Sequence, residues 1–217
     1  MPGIPTLQVG TLQAYLDRLR RLLHDPEPDR LWPAADKIEY INEGMQRRDL
    51  DTGCNRIMQA LTLQTGVDLY HLTDLANKAT YDVININLIW GNIRTPMNQS
   101  SKVELDARAR ALLMSNGVPD TWARHGQNDI YFGPKPSLPY ATEWDCAVIA
   151  PTLLIPEDND PVPYPWTKPV PYYAAWLAKM NERQYDDADK FMKLYLNEIQ
   201  VCQGARTGLV PSVYGRW

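Results

Sequence analysis

The side chains that could act as a general base or a nucleophile are few in this sequence and lie far apart. Its three histidines are His24, His71 and His125. His24 ends an amphipathic helical pattern, where the helix dipole favours a cation. His71 falls in an alternating strand pattern, and His125 stands beside a glycine in a predicted turn. No triad pattern and no Gly-x-Ser-x-Gly motif accompanies them, so the sequence predicts neither a serine nor a cysteine hydrolase.

Acidic residues offer the other candidate chemistry. Glu143 and Asp145 stand two positions apart in a predicted strand and therefore share one face. Two carboxylates on one face could serve acid–base hydrolysis of a glycoside, and a solvated strand face is the alternative interpretation. The run 157–160 lacks the length, the glycine and the distal glutamate of a calcium loop, and we interpret it as a solvated turn. The aspartates at 186, 187 and 189 suit the positive start of a helix.

Metal and cofactor motifs are absent from the sequence. It contains no His-Glu-x-x-His, no Cys-x-x-Cys and no glycine-rich phosphate loop. Cys54, Cys146 and Cys202 are odd in number and widely spaced, which fits neither a disulfide framework nor a zinc site. We interpret them as reduced thiols of a protein made inside a cell. The sequence predicts a protein without cofactor, metal or catalytic residues.

Amphipathic helical patterns occupy both ends of the chain. Thr11–His24 places its leucines at helical spacing, with Thr11 as the expected N-cap. A second helix is predicted from Pro33 to about Arg48. Two further apolar stripes near the other end predict helices through Tyr173, Trp176, Leu177 and Met180, and through Phe191, Leu194, Tyr195, Ile199 and Cys202. Gly204 is expected to end the last helix.

Between these helices the pattern changes to alternation, which indicates β-strands. The predicted strands are Leu61–Gln64, Asp68–Leu72, Val83–Trp90, Asp129–Phe132 and Glu143–Ile149. A helix over Lys102–Asn116 is expected to interrupt them. The stretch Pro151–Pro171 contains seven prolines and is expected to be an extended crossover that cannot pair regularly.

These patterns predict an α+β fold, in which N- and C-terminal helices form a bundle and an antiparallel β domain is inserted between them. The predicted domains are 1–58 for the N-terminal helices, 59–160 for the β domain with a helical insertion near 102–116, 161–205 for the proline-rich crossover and C-terminal helices, and 206–217 for an extended C-terminal arm.

The charge balance separates the chain from dedicated nucleic-acid-binding proteins. Lys plus Arg is 22 and Asp plus Glu is 26, a net charge of −4, whereas such proteins normally carry a basic excess. Arginine clusters at 18–21, 47–48 and 108–110 are interpreted as solvated or interfacial helix faces. No run approaches the roughly 20 apolar residues of a membrane span, and Met1–Gly10 shows no signal-peptide pattern.

Four segments, taken in order, resemble a known family. The segment 32–46, with Ile41-Asn42-Glu43 inside it, is similar to the second helix of tailed-bacteriophage head-to-tail adaptor proteins. The strand Asp68–Leu72, the strand and proline turn Ile130–Pro136, and the helix entry Pro169–Leu177 resemble later elements of that family. The resemblance covers roughly residues 10–205 in element order. Gly44 departs from the family, which has alanine there.

The resemblance implies a structural virion protein, not an enzyme. Such an adaptor is expected to form a ring of about twelve subunits beneath the portal protein, between capsid and tail, around the DNA exit channel. Its expected partners are further copies of itself, the portal, and tail or nozzle proteins. Genomic DNA is expected to pass without sequence-specific binding. The net negative charge suits a channel wall that should not bind DNA. The expected location is the neck of the virion, after synthesis in the host cytoplasm, with no membrane contact.

The sequence is also compatible with other functions. A stopper or tail-closure protein of the same neck would share the location but not the contacts. A small hydrolase using an unrecognised site such as Glu143 and Asp145 belongs to a different class, as does a plain scaffold or partner-binding module of a cell.

The last residues of the chain form the only site that we predict. The stretch Thr207–Trp217 contains Gly208, Pro211 and Gly215, so it is not expected to extend a helix. It is nevertheless rich in large apolar side chains, which contribute about 1.5–3 kcal/mol each when buried. We predict a portal-docking arm formed by Leu209, Val210, Val213, Tyr214, Arg216 and Trp217. Folding of the arm back onto its own subunit is the alternative.

Overall fold

The structure, a computed structural model, describes residues 9–25, 31–111 and 116–207. Two compact units are present. We call Arg56–Ile149 the central unit, and the residues up to Asn55 together with those from Ala150 onward the terminal unit. In the described ranges, no helix has the length and apolar character needed to cross a membrane.

The described elements alternate little between helix and strand. In chain order they are β1 (Val9–Thr11), α1 (Leu12–Leu23), α2 (Ala34–Thr52), β2 (Arg56–Leu63), β3 (Leu69–His71), β4 (Thr80–Trp90), β5 (Ile93–Pro96), β6 (Asn98–Ser100), α3 (Lys102–Ala111), β7 (Thr121–His125), β8 (Asp129–Gly133), β9 (Tyr140–Val148), β10 (Asn159–Pro163), α4 (Val170–Asn181) and α5 (Tyr185–Thr207), with a short 3₁₀ helix at Leu72–Asp74.

The terminal unit contains α1, α2, α4 and α5, so helices from both chain ends do share one unit. Helix α1 begins as its sequence predicts, because the Thr11 hydroxyl accepts a hydrogen bond from the Ala14 amide at 3.1 Å. It ends at Leu23, and the following residue, His24, adopts the left-handed conformation. Its leucines join a core with residues of α2 and α4, including Ile41, Met45, Val170, Ala174 and Ala178. The α+β prediction, with the strands inserted between these helices, is confirmed.

The central unit contains two four-stranded sheets, with orders β2-β9-β4-β5 and β3-β8-β7-β6. Strand β9 pairs antiparallel with β2 on one side and with β4 on the other. Its inward side chains, Trp144 and Cys146, are buried in a core with residues of both sheets, among them Leu63, Ile86, Trp122 and Phe132. One pair, β6 with β7, is parallel, so the second sheet is mixed where an antiparallel domain was predicted.

The predicted end of the last helix is wrong. Helix α5 passes through Gly204 and reaches Thr207. A glycine inside a helix costs only about 1 kcal/mol relative to alanine. This cost is small enough for the helix to continue through Gly204, which does not act as a cap.

The proline-rich stretch also departs from the prediction, because it does contain a paired strand. Within Pro151–Pro171, β10 pairs antiparallel with β1, so that Val9 lies opposite Pro163 and Thr11 opposite Asn159. A strand with a single neighbour needs only alternate N–H groups for its ladder, and it tolerates prolines for that reason.

Two smaller predictions change as well, and a third is tested only in part. Helix α2 continues beyond Arg48 to Thr52 and ends at Gly53, whose φ is 57°. His125 is the last residue of β7, a strand that we did not predict, and the turn begins after it at Gly126. The helix predicted over Lys102–Asn116 is described as far as Ala111, and residues 112–115 lie outside the described part of the chain.

Candidate interaction surfaces

The carboxylates Glu143 and Asp145 do share one face of β9, and each forms an ion pair with an arginine. Arg94 Nε lies 2.7 Å from Glu143 Oε2, and Arg56 Nη1 lies 3.3 Å from Asp145 Oδ2. The two arginines come from the strands at opposite edges of the same sheet, β5 and β2. The arrangement is a row of ion pairs across a sheet face, because both carboxylates already have a cationic partner.

The structure brings together a histidine–aspartate pair that the sequence did not reveal. His71 Nδ1 lies 2.8 Å from Asp129 Oδ1, and on the other side of β8 the register places His125 opposite the same aspartate. The His125 ring also contacts Tyr131 edge-on at 6.2 Å between centroids. Within the described residues, no hydroxyl or thiol is hydrogen-bonded to either imidazole, so this cluster has a base but no nucleophile beside it.

The acidic run 157–160 serves the fold. Asp158 Oδ2 accepts hydrogen bonds from the Leu154 and Ile155 amides at 2.7 and 2.9 Å, and these backbone bonds lower the pKa of Asp158. Asp160 is buried. Across the residues that the structure describes, no group of three or more His, Cys, Asp or Glu side chains is arranged to hold a metal ion. Asp186 and Asp187 lie in the first turn of α5, as expected, and Asp187 pairs with Lys190 at 2.8 Å.

Arg48 is the clearest residue that the sequence interpretation misplaced. We expected it on a solvated or interfacial face, but its side chain is fully buried and lies between Asp49 and Asp160. Asp160 also accepts a 2.5 Å hydrogen bond from the Tyr15 hydroxyl. Burial lowers the pKa of Arg48, but the hydrogen bonds that it donates to Asp160 and the charges of Asp160 and Asp49 together outweigh burial and raise the pKa overall, so the guanidinium stays charged. Burial, followed by the neighbouring charge of Asp160, raises the pKa of Tyr15.

A second buried ion pair also lies in the terminal unit. Lys37 Nζ contacts Asp25 Oδ2 at 2.6 Å, and neither side chain is exposed. The same carboxylate accepts hydrogen bonds from the Leu31 and Trp32 amides at 3.2 and 3.4 Å. Each carboxylate in these two clusters has several donors, as buried charge requires. Both clusters therefore hold elements in place and offer no open site for a ligand.

The cysteines have the chemistry of buried thiols. All three are free, and Cys146 and Cys202 are buried. Burial raises the pKa of Cys54 and of Cys146 to about 11. The thiol form of both therefore dominates at neutral pH, and a thiol is a poor nucleophile and a poor metal ligand.

The features that suit an interaction surface are apolar side chains held in ordered turns. The β4–β5 hairpin presents Trp90 and Ile93 opposite each other, 58% and 66% exposed, and Trp90 is the only exposed tryptophan among those described. The turn braced by Asp158 presents Leu154 and Ile155, 70% and 55% exposed. Large apolar side chains fixed in ordered turns bind partners at little cost in conformational entropy.

The predicted portal-docking residues Leu209, Val210, Val213, Tyr214, Arg216 and Trp217 lie outside the described residues, which end at Thr207. Their docking role therefore stays a prediction.

Comparison with known proteins gives a family for almost the whole chain. The sequence model of the SU10 adaptor protein family matches residues 10–212. A search among curated proteins found no match.

Proposed function

Because the chain belongs to the SU10 adaptor protein family, a family of phage head-to-tail adaptors, we propose that it forms a ring beneath the portal. In this position it joins the DNA-filled capsid to the tail and lines the DNA exit channel. We propose about twelve subunits, in the closed cyclic symmetry usual for such assemblies. The observation that carries the proposal is the match over residues 10–212.

The described surface supports a role in assembly. A ring subunit needs unlike surfaces on its two sides, since head-to-tail contacts join different patches. The chain offers apolar patches in separate elements: the Trp90–Ile93 hairpin, the Leu154–Ile155 turn, and Leu194 and Val201 along α5. Aromatic side chains such as Trp90 are enriched in protein interfaces.

The candidate chemical groups favour a structural protein over the hydrolase alternative. Glu143 and Asp145 each have an arginine partner, and His71 has an aspartate partner but no hydroxyl or thiol among its described contacts. These contacts explain each group as part of the fold. We propose that the protein has no catalytic turnover and needs no cofactor.

The net charge of −4 supports a passive role towards DNA. Affinity for the phosphate backbone comes mainly from Lys and Arg side chains that displace counter-ions. Described arginines such as Arg48, Arg56, Arg94 and Arg124 are already paired with carboxylates. We propose that DNA passes the ring without sequence-specific binding, and that the protein is a virion component made in the host cytoplasm.

The portal and a tail or nozzle protein are the proposed partners on either side of the ring, with the arm of residues 209–217 docking on the portal. The test is electron microscopy and native mass measurement of the purified chain, alone and mixed with the portal of the same phage. A cyclic ring bound to the end of the portal is the expected result for the mixture. A chain that stays monomeric with the portal present would contradict the proposal, and a ring that binds only tail components would indicate the stopper or tail-closure role.

A further inference from the structure

The longest edge strand of the central unit has no neighbouring strand on its outer side among the described residues. β2 pairs with β9 along its whole length, from Arg56 opposite Ala147 to Leu63 opposite Tyr140, without a bulge. The order β2-β9-β4-β5 places it at the edge of its sheet. In an antiparallel pair, every second residue directs its N–H and C=O away from the partner strand. Between Ile57 and Leu63, β2 therefore presents backbone groups that a further strand could bind. The Thr62 carbonyl accepts an exposed 3.4 Å hydrogen bond from the Gln64 side chain, which a further strand would replace.

The other described edges are short or carry proline, as natural sheet edges usually do. β5 has four residues and ends at Pro96. β10 contains Pro161 and Pro163, and β1, β3 and β6 have three residues each. β2 has eight residues without proline, glycine or lysine, and its one charged residue, Arg56, is its first and pairs with Asp145.

We propose that two copies of the free protein pair their β2 strands in antiparallel orientation and so join their sheets into one of eight strands. Among the described edge strands, only a second β2 has the length and the lack of proline to pair along this edge. Antiparallel pairing also places the two Arg56 side chains at opposite ends of the contact, whereas parallel pairing would place like charges side by side.

The side chains determine the register. The two faces of the joined sheet stay continuous only if residues of the same face lie opposite each other. Pairing centred on Ala60 meets this condition, with Met58 opposite Thr62 of the second copy, and it leaves Arg56 outside the paired region with its Asp145 partner. Ala60 and Thr62 are exposed and Met58 is 52% exposed, so the contact covers a mainly apolar and uncharged strip.

This dimer is a state of the free protein and does not depend on the proposed ring. A twofold contact is closed because both copies use the same surface, whereas a cyclic ring requires head-to-tail contacts. Until the protein joins a larger assembly, the dimer therefore protects an edge that would otherwise bind other strands.

The first test is sedimentation velocity of the purified full-length chain between about 1 and 100 µM. We expect a reversible monomer–dimer equilibrium. Ala60→Lys is expected to raise the dimer Kd by about a hundredfold or more, because it places two lysines opposite each other. Ala141→Lys is the matched control on the same face. It adds the same charge to β9, a strand with neighbours on both sides, and is expected to leave the Kd within about threefold, as a charge away from the contact should.

The second test is a disulfide. Ala60→Cys is expected to give a cross-linked dimer on mild oxidation, because directly opposite Cβ atoms of an antiparallel pair are about 4.5–5.5 Å apart. The parent chain with its three cysteines, and Ala141→Cys, are expected to stay uncross-linked. Circular dichroism checks that each variant folds, and Met58→Lys replaces Ala60→Lys if the latter does not. A wild type that is monomeric throughout, an oligomer that Ala60→Lys and Met58→Lys leave unchanged, or an Ala60→Cys protein that does not cross-link would overturn the proposal.

Discussion

The guanidinium of Arg48 in α2 binds both carboxylate oxygens of Asp160 in β10, at 2.5 and 3.2 Å, with both side chains fully buried. The two residues are 112 positions apart in the chain. The contact joins an element from before the central unit to one that follows it, both within the terminal unit. A buried ion pair of this kind is strongly destabilising when one partner is lost, because the other charge stays behind without compensation.

Arg48→Met is therefore expected to lower the free energy of unfolding by about 3–5 kcal/mol, since it leaves the buried Asp49 and Asp160 without their cation. Urea denaturation followed by circular dichroism measures the change. The adjacent Arg47→Met is the matched control, because Arg47 forms an exposed pair with Asp51 that is worth less than about 1 kcal/mol. Equal losses for the two variants would show that the buried pair has no special role.

Gly44 and Gly204 are expected to respond to alanine in opposite directions. A Cβ at Gly44 would lie 3.0 Å from the Val170 carbonyl oxygen of α4, and overpacking of this kind costs about 1–3 kcal/mol. At Gly204 no heavy atom lies within 4 Å of an added Cβ, so Gly204→Ala is expected to stabilise by up to about 1 kcal/mol through helix propensity. Thermal and urea unfolding of the two variants measure the difference. Stabilisation of both by similar amounts would contradict close packing of α2 on α4.

Stability is expected to fall as the pH rises from 9 to 11. Burial raises the pKa of Cys54 and Cys146 from 9.0 to about 11, so in this range the folded chain keeps protons that the unfolded chain releases. The free energy of unfolding decreases with pH wherever the folded state binds more protons. Urea denaturation at a series of pH values measures the slope.

The double variant Cys54→Ala and Cys146→Ala is the control for that slope. It is expected to show a shallower decrease, not a flat profile, because burial also raises the pKa of Tyr15 and Tyr195. A slope identical to that of the parent chain would exclude the two thiols as its source.

Removal of residues 208–217 is expected to abolish attachment to the portal while leaving the fold nearly intact. Thr207 is kept because it belongs to α5. Two buried anchors of the size of Trp217 and Leu209 would contribute about 1.5–3 kcal/mol each. Co-sedimentation with portal rings measures attachment, and circular dichroism measures folding. Trp217→Ala with Arg216→Ala is the finer variant, and normal portal binding by the truncated chain would end the arm hypothesis.

Trp90→Ala is expected to separate assembly from stability. Trp90 is largely exposed at the hairpin, with its ring 6.2 Å from that of Tyr140, so its loss is expected to cost under about 1 kcal/mol. Trp144→Ala is the matched comparison, because Trp144 is fully buried. It is expected to lower the free energy of unfolding by about 3–5 kcal/mol. If the hairpin is an assembly surface, Trp90→Ala weakens ring formation or partner binding about thirtyfold or more, as hot-spot residues do. Unchanged assembly would remove the hairpin from the candidate surfaces.

The elements that the sequence predicted well are those with a strong local pattern. Helix α1 has its leucines at helical spacing and a threonine cap, and the strands β8 and β9 have clear alternation, so these elements form as predicted. The strand β7 lacks such a signal. It forms a strand because all five of its residues pair with β8 and three of them also pair with β6.

The candidate site residues show the same division. Sequence spacing correctly placed Glu143 and Asp145 on one face, because a strand alternates its side chains locally. It could not show that Arg94 and Arg56 neutralise them, since these partners come from other strands. The contact between His71 and Asp129 could not be predicted for the same reason, because the two residues come from different strands.

By itself, the sequence determined the α+β class, the helices at both ends and the resemblance to adaptor proteins, because each depends on periodicity or motifs within a short stretch of chain. Tertiary structure alone decided that Arg48 is buried, that a proline-rich segment forms β10, and that α5 continues through Gly204. The first two outcomes depend on a partner distant in sequence, which compensates a local cost: Asp160 for the buried charge and β1 for the strand with prolines. At Gly204 the helix continues because glycine costs it only about 1 kcal/mol. In the first two cases the local sequence shows the destabilising feature, whereas the contact that offsets it forms only in the folded chain.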